Sequence, residues 1–505
     1  MSNENTESVI KTLNPYLSTL ADTSTRDRPV KRRAIEAVKK ETLQIKTWTN
    51  AETAACELLA HLIDSLLVCT QSAIESVREQ TVTILDSLLE KCQKGGIDSS
   101  VTETLLTHTL ARLKHEPTEE IRAAWMDLCV TLTGKLTSSK ISVPETELLM
   151  DIIHTAAADA FAEVVKRAAK LIILLAQTQP KAVDYACERA VRLTIPLLVH
   201  KHTAVRVLGI KSMEAVLLAS AKGLHLLFEY EQVFDRQPIV PALIYDHSPL
   251  VRDHLFKALA GLLCQWAPRD RYQYGERVLP IILSGLFDEL PSVQVTCKSS
   301  LSQVGQSCTR DLFEADIIHE IPTDDTVSET IGLKQLVHVC FDKSLLHLLE
   351  ASTDFITVRQ MTALDALRLF LEYAQVNDLV KNIKKIMHYL MVVYINNDQD
   401  AAVREKVFEI IVLLASQLPS ADICLDVLLS RLEQKYLVTE TNGFSAAQTV
   451  WVVMVFLNQF IVATKHAVSP ERVLNSIERP YLKPFIEDRP ETLQHMKDIR
   501  SLLLA

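Results

Sequence analysis

The chain has 505 residues, 48% apolar and 23% charged, which excludes a largely disordered polymer and leaves ample side chain to bury. Its 53 Lys and Arg against 63 Asp and Glu give a net charge of −10, which opposes general polyanion binding because that draws on clustered cations. Only 11 glycines occur where ordinary usage of about 7% would supply roughly 35. Few turn formers and many straight-chain helix formers point to an all-α fold.

The first residues, MSNENTE, are polar and lack the cationic and apolar regions of a secretory signal, so residues 1–25 read as an N-terminal segment of a cytoplasmic protein. A basic cluster follows at Arg26, Arg28, Lys31, Arg32, Arg33, Lys39 and Lys40. Ala34, Ile35, Ala37 and Val38 interleave with it at helical spacing, which makes it a solvated helix face rather than a nucleic-acid patch or an import signal.

From there one unit recurs: a turn, then Val or Ile followed by a cation, then an apolar helix. It starts at Val30-Lys31, Val77-Arg78, Ile121-Arg122, Val165-Lys166, Val205-Arg206, Val251-Arg252, Val293-Gln294, Val358-Arg359 and Val403-Arg404. Successive steps are 47, 44, 44, 40, 46, 42, 65 and 45 residues, and seven of the eight match the period of HEAT and armadillo repeats. The expected architecture is a HEAT-repeat α-solenoid, an armadillo-like superhelix of about ten helical hairpins.

The sixth unit shows the physics. Ser248 suits the helix cap and Pro249 the first helical position. Val251, Leu255, Ala258, Leu259, Leu262 and Leu263 then form one stripe. A partner helix is expected from about Tyr272, carrying Leu279, Ile282, Leu283, Leu286 and Phe287, before the turn at Asp288-Glu289. Asp246 and Asp288 each precede the polar residue of the next helix, Arg252 and Gln294, by six positions. Stacked units would therefore ladder turn acids with Arg206, Arg252, Arg359 and Arg404 in a structural role.

Repeats are expected over 26–309, an inserted loop over 310–332 to absorb the long step, further repeats over 333–465, and a C-terminal helical cap over 466–505. The apolar run Val450–Ala463, interrupted by Asn458 and Gln459, is shorter than a membrane span requires, so no membrane segment is expected. Ten cysteines lie scattered with no C-x-x-C pair, as in a reducing compartment.

No phosphate loop, dinucleotide fingerprint, H-E-x-x-H or G-x-S-x-G motif is present. Gly134-Lys135 lacks an upstream glycine, and His319-Glu320 leads into Ile321-Pro322-Thr323. His200-Lys201-His202, His247 and His254 read as turn or surface residues without ligand partners. Asp324-Asp325 and Asp288-Glu289 suit helix N-termini. No catalytic, cofactor or metal residue is assigned, and the expectation is a non-enzymatic scaffold with no cofactor, nucleic acid, membrane or small-molecule substrate.

Several segments resemble the dynein axonemal assembly factor 5 family, whose members are HEAT-repeat proteins. The most specific runs from Asp270-Arg271-Tyr272 through Arg277-Val278-Leu279-Pro280 to Asp288-Glu289-Leu290-Pro291-Ser292-Val293-Gln294. Thr203-Ala204-Val205-Arg206-Val207, Arg32-Arg33-Ala34-Ile35-Glu36-Ala37 and Gly332-Leu333-Lys334-Gln335-Leu336-Val337 resemble other family stretches. The likeness spans roughly residues 26–365, with Gln294 where the family usually has a cation, and familiar members continue through more repeats.

The resemblance implies a cytoplasmic factor for preassembly of outer and inner axonemal dynein arms, working with dynein intermediate chains and chaperone machinery in ciliated or flagellated cells. The alternatives are a generic HEAT adaptor for nuclear transport or phosphatase scaffolding, and a tubulin-binding array. The last needs turn-borne Trp, whereas Trp48, Trp125, Trp266 and Trp451 fall near or inside expected helices.

Overall fold

The computed structural model describes residues 2–22, 27–43, 51–137, 141–229, 238–438, 444–464 and 467–504, and among them there are helices and no strand. The chain divides into two compact units, Met1–Ala258 and Leu259–Ala505, with the boundary inside one helix. Each is a stack of helical hairpins of the HEAT type.

Unit 1 opens with α1 (Ser2–Ala21), α2 (Arg28–Leu43), α3 (Ala51–Cys69) and α4 (Glu75–Lys91). It continues with α5 (Ser99–His115), α6 (Glu119–Lys135), α7 (Val143–Ala157) and α8 (Ala162–Thr178). Short α9 (Pro180–Tyr185) leads to α10 (Cys187–Leu198) and α11 (Thr203–Ala219). Then follow α12 (His225–Phe228), α13 (Ile239–Leu243) and α14 (Pro249–Gln265).

The first helices α1, α3, α5, α7 and α10 pack in sequence as one layer, and α2, α4, α6, α8 and α11 as the other. Val-cation helices pack on the helix before them, as α4 does on α3, α8 on α7 and α11 on α10. The acidic turn therefore lies inside a hairpin, not between two units as the sequence reading has it.

The stripes explain the layers. In α8, Val164, Val165, Ala168, Ala169, Leu171, Ile172, Leu175 and Ala176 are all buried. Two adjacent apolar rows let this helix touch its hairpin partner and both stacked neighbours. Starts are fixed by local chemistry, as at α7, where Ser142 and Glu145 form a reciprocal capping box ahead of a first-turn proline.

Unit 2 holds α15 (Pro268–Gly285), α16 (Pro291–Glu314), α17 (Asp325–Ala351), α18 (Thr357–Glu372), α19 (Val376–Asn396) and α20 (Ala401–Gln417). After them come α21 (Asp422–Ser430), α22 (Gln434–Val438), α23 (Ala446–Ala463), α24 (Pro470–Ile477), α25 (Lys483–Asp488) and α26 (Glu491–Leu504).

The loop expected over 310–332 is a correction: only 315–324 is non-helical, and the long step is taken up mainly by extending α16 and α17. Those two helices touch backbone to backbone. A Cβ on Gly332 would lie 1.8 Å from the Gly305 carbonyl oxygen, and Thr309 Oγ1 donates to the Ser328 carbonyl at 2.5 Å. Only glycine permits that approach.

The apolar run near 450 also differs from expectation. Helix α23 is long and apolar enough to cross a membrane by composition, but 61% of it is buried inside the unit, with Trp451, Phe456 and Phe460 in the core. Helices α19, α20, α25 and α26 pack around it.

Candidate functional site: turn ladder, cleft and cavity

Two residues before the cap of several Val-cation helices stands a turn residue that performs more than one task, whereas at α20 the turn acid Asp400 is itself the cap. Asp246 Oδ1 accepts the Ser248 N–H at 2.8 Å, its carbonyl accepts Arg252 Nη1 at 2.7 Å, and its carboxylate receives Arg206 from the preceding hairpin at 2.7 and 2.8 Å. The first tightens the turn, the second ties turn to helix, and the third joins hairpin to hairpin.

Glu116 repeats the arrangement. It accepts Arg78 Nε and Nη2 at 2.9 and 2.8 Å, holds the Thr118 N–H at 3.1 Å, and its carbonyl takes Arg122 at 3.0 Å. Arg122 reaches on to Asp159 with two bonds of 2.7 and 2.9 Å, so three hairpins are linked in series. Burial alone would raise the Glu116 carboxyl, but hydrogen bonds from Arg78, Thr118 N–H and Arg112 outweigh it and hold the pKa below the usual glutamate range. At Asp159, burial likewise opposes the bonds from Arg122 and the Phe161 N–H, and the pKa is again lowered.

The bond from helix side chain to turn carbonyl persists where the turn lacks an acid, as at Ser72 and His200, and where the helix lacks a cation, as at Gln294. Arg78 Nη1 reaches the Ser72 carbonyl, Arg206 Nη1 the His200 carbonyl, and Gln294 Nε2 the Asp288 carbonyl. Gln294 thus preserves the tie between turn and helix that the missing cation put in question.

The register slips twice. After Asp159 the sixth position is Val165, buried, while Lys166 is displaced to pair with Glu163. After Asp354 the sixth position is Gln360, buried and bonded to the Ser352 carbonyl at 2.9 Å. Val358 is 70% exposed there, and Arg359 lies 4.0 Å from Asp354 in its own turn. The expected bridge to the next hairpin's turn acid is made by Arg206, while at Arg359 the sixth position after the turn acid has passed to Gln360. Arg252 ties its own turn, and Arg404 lies over the Tyr394 ring at 5.7 Å.

Lysines cap helix ends. Lys135 Nζ donates to the Glu90 and Cys92 carbonyls at 2.7 and 2.8 Å, closing the end of α4 from the next hairpin. Lys31, expected on a solvated face, is instead buried and bonds the Asp22 carbonyl at 2.6 Å, while Arg32 and Arg33 are exposed. Arg26 and Trp48 lie outside the described residues.

The Asp270-Arg271-Tyr272 stretch gains a physical meaning. Buried Arg271 donates to the Cys264 and Trp266 carbonyls at 3.1 and 2.9 Å, capping α14, and pairs with Asp311 on α16. Trp125, Trp266 and Trp451 are core residues. No group of three or more metal-type side chains occurs among the described residues. The Asp324 carboxylate caps α17.

Two of the concavities take in residues singled out in the sequence. In unit 1 a cleft of about 830 Å³ opens between the end of α10 and α13, with apolar walls and His200, Lys201 and His247 at its rim. In unit 2 a cavity of about 370 Å³ is lined by Arg404, Asn458, Gln459 and His495. The two amides that interrupt the apolar run of α23 face this cavity. His495 Nδ1 is buried without a hydrogen-bond partner among the described residues, and burial lowers the imidazole pKa.

Hairpins stacked at steps of mostly 40 to 47 residues and joined by turn carboxylates define a HEAT-type helical-repeat protein. Residues 22–316 match the family model described as "Dynein axonemal assembly factor 5-like, TPR repeats". The chain belongs to that family, although its step is longer than the roughly 34 residues of a TPR unit.

Relatives named dynein axonemal assembly factor 5 include one from Homo sapiens, 24% identical over 364 residues, covering 69% of this chain and 41% of the relative. Another, from Xenopus laevis, is 23% identical over 303 residues, covering 59% and 34%. The chain therefore aligns with less than half the length of these relatives. Among solved structures, a Kap121p mutant shows 14% identity and a TM-score of 0.40, covering 98% of this chain and 54% of that one.

Proposed function

We propose that the chain is a non-enzymatic cytoplasmic scaffold in the assembly of axonemal dyneins, serving preassembly of outer and inner arms before their transport into cilia or flagella. The match of residues 22–316 to the family model carries this reading. Its repeat architecture supports it, because stacked hairpins present long continuous faces that can hold several parts of a client at once. Dynein intermediate chains are the leading client class, with chaperone machinery acting on the same client.

The test is affinity purification from cells that are building cilia, combined with removal of the protein. Co-purification of axonemal dynein chains and loss of arms from the axoneme are expected. Intact inner and outer arms after complete removal would reject the function. Recovery of a phosphatase catalytic subunit or a Ran-type GTPase without any dynein chain would favour a general adaptor.

A further inference from the structure

The cleft of unit 1 has features that the turn ladder does not use. Its walls are apolar, formed by Pro196 and Val199 at the end of α10 and by Ile239 and Ala242 on α13. Val199 and Ala242 are exposed to solvent despite facing a concave site. The volume, about 830 Å³, lies within the roughly 300–1,000 Å³ typical of ligand pockets, room for a few side chains and too little for a globular face.

Among the described residues the rim has one net sign. Arg206 and Asp246 both line the cleft, but they bind each other and contribute no net charge. Among the described lining residues, what is left is the exposed Lys201 ammonium, flanked by the His200 and His247 imidazoles. The chain as a whole carries −10, so an acidic segment is repelled by most of the surface and attracted here. The floor is held by the ladder, since Asp246 is fixed by Arg206, Ser248 and Arg252 together.

We propose that this cleft binds an acidic peptide with apolar anchors, its Leu or Phe side chains between α10 and α13 and its carboxylates against Lys201. The inference goes beyond the assembly reading and does not depend on it.

The probe is a fluorescein-labelled peptide alternating Glu with Leu and Phe, measured by anisotropy on the full chain, beside a counterpart with Lys in place of Glu. The acidic peptide should bind with Kd in the micromolar range and the basic one should not. Lys201→Glu combined with His247→Glu should weaken binding by about tenfold or more. Ala242→Trp, which fills the cleft, should abolish it, with Val199→Asp as a second blocking variant should the first lose its helical melting transition.

Equal binding of both peptides, unchanged affinity in the charge-reversed or blocked variants, or no binding up to about 1 mM would overturn the proposal. So would self-association by sedimentation that Ala242→Trp abolishes, which would assign the cleft to a second copy of the chain.

Discussion

Arg78 grips the carboxylate of Glu116 through both Nε and Nη2, although 38 residues separate them, and Glu116 in turn offers its backbone carbonyl to Arg122. The Glu116 side chain has no solvent exposure, and that of Arg78 is 10% exposed. Such a pair is costly to break because the abandoned charge remains desolvated. Glu116→Ala should therefore destabilise unit 1 by about 3–5 kcal/mol, whereas Arg78→Met with Glu116→Leu should recover much of the loss. Urea unfolding monitored by hydrogen exchange of α4 and α6 measures both.

Acid should loosen the same ladder. The folded pKa values of Glu116 and Asp159 lie below their ordinary ones, so the unfolded chain binds more protons in the interval between them. Their stabilisation is complete above the ordinary carboxylate range, about pH 4 to 5, and is lost as pH falls through the depressed folded values. Asp86, raised mainly by burial, acts in the opposite sense. Glu116→Gln should flatten the acid side of the stability curve for α4 and α6, and a curve parallel to the wild type would contradict this assignment.

The crossing of α16 and α17 depends on two absent side chains. Gly332→Ala places a methyl group against the Gly305 carbonyl, where only backbone can move aside, and should cost more than about 3 kcal/mol in unit 2. Gly134, inside α6, has no neighbour closer than 3.9 Å to a new Cβ, so Gly134→Ala should stabilise by about 0.5–1 kcal/mol. Thermal melting of the two variants should therefore move in opposite directions.

Neighbouring positions in α18 should separate sharply. Gln360→Ala removes a buried bond to the Ser352 carbonyl and should cost about 1–3 kcal/mol. Arg359→Ala, with its side chain 42% exposed, should change stability by less than about 0.5 kcal/mol. Equal effects would contradict the one-residue slip of the ladder.

Leu259 is completely buried in α14, among the stripe expected for the sixth unit. Leu259→Ala should cost about 2–5 kcal/mol, read as faster hydrogen exchange in α14.

The sixth unit was legible because its information is local. Val251, Leu255, Ala258, Leu259, Leu262 and Leu263 follow helical spacing and are all buried. The six-residue offset from Asp246 to Arg252 is local as well, fixed by the turn and the first helical turn. The phase of the hairpins was not, since an equal helix on either side of each Val-cation helix leaves periodicity alone unable to choose a partner. The two slips were hidden for a related reason: at Val358-Arg359 the residue pair fits the pattern, but the helix start places Gln360 inside.

The candidate site was less legible still. His200, Lys201 and His247 looked like isolated turn residues, and nothing in their spacing puts α13 opposite α10. Asn458 and Gln459 looked like flaws in an apolar run, and only the packing of α23 against α26 turns them towards a cavity. The sequence alone determined that this chain folds as repeated helical hairpins, because a stripe and its cap are properties of consecutive residues. The tertiary structure decided which helices pair, which charges are spent on holding the stack and which stay available to a partner, because those outcomes depend on side chains some forty residues apart meeting in space.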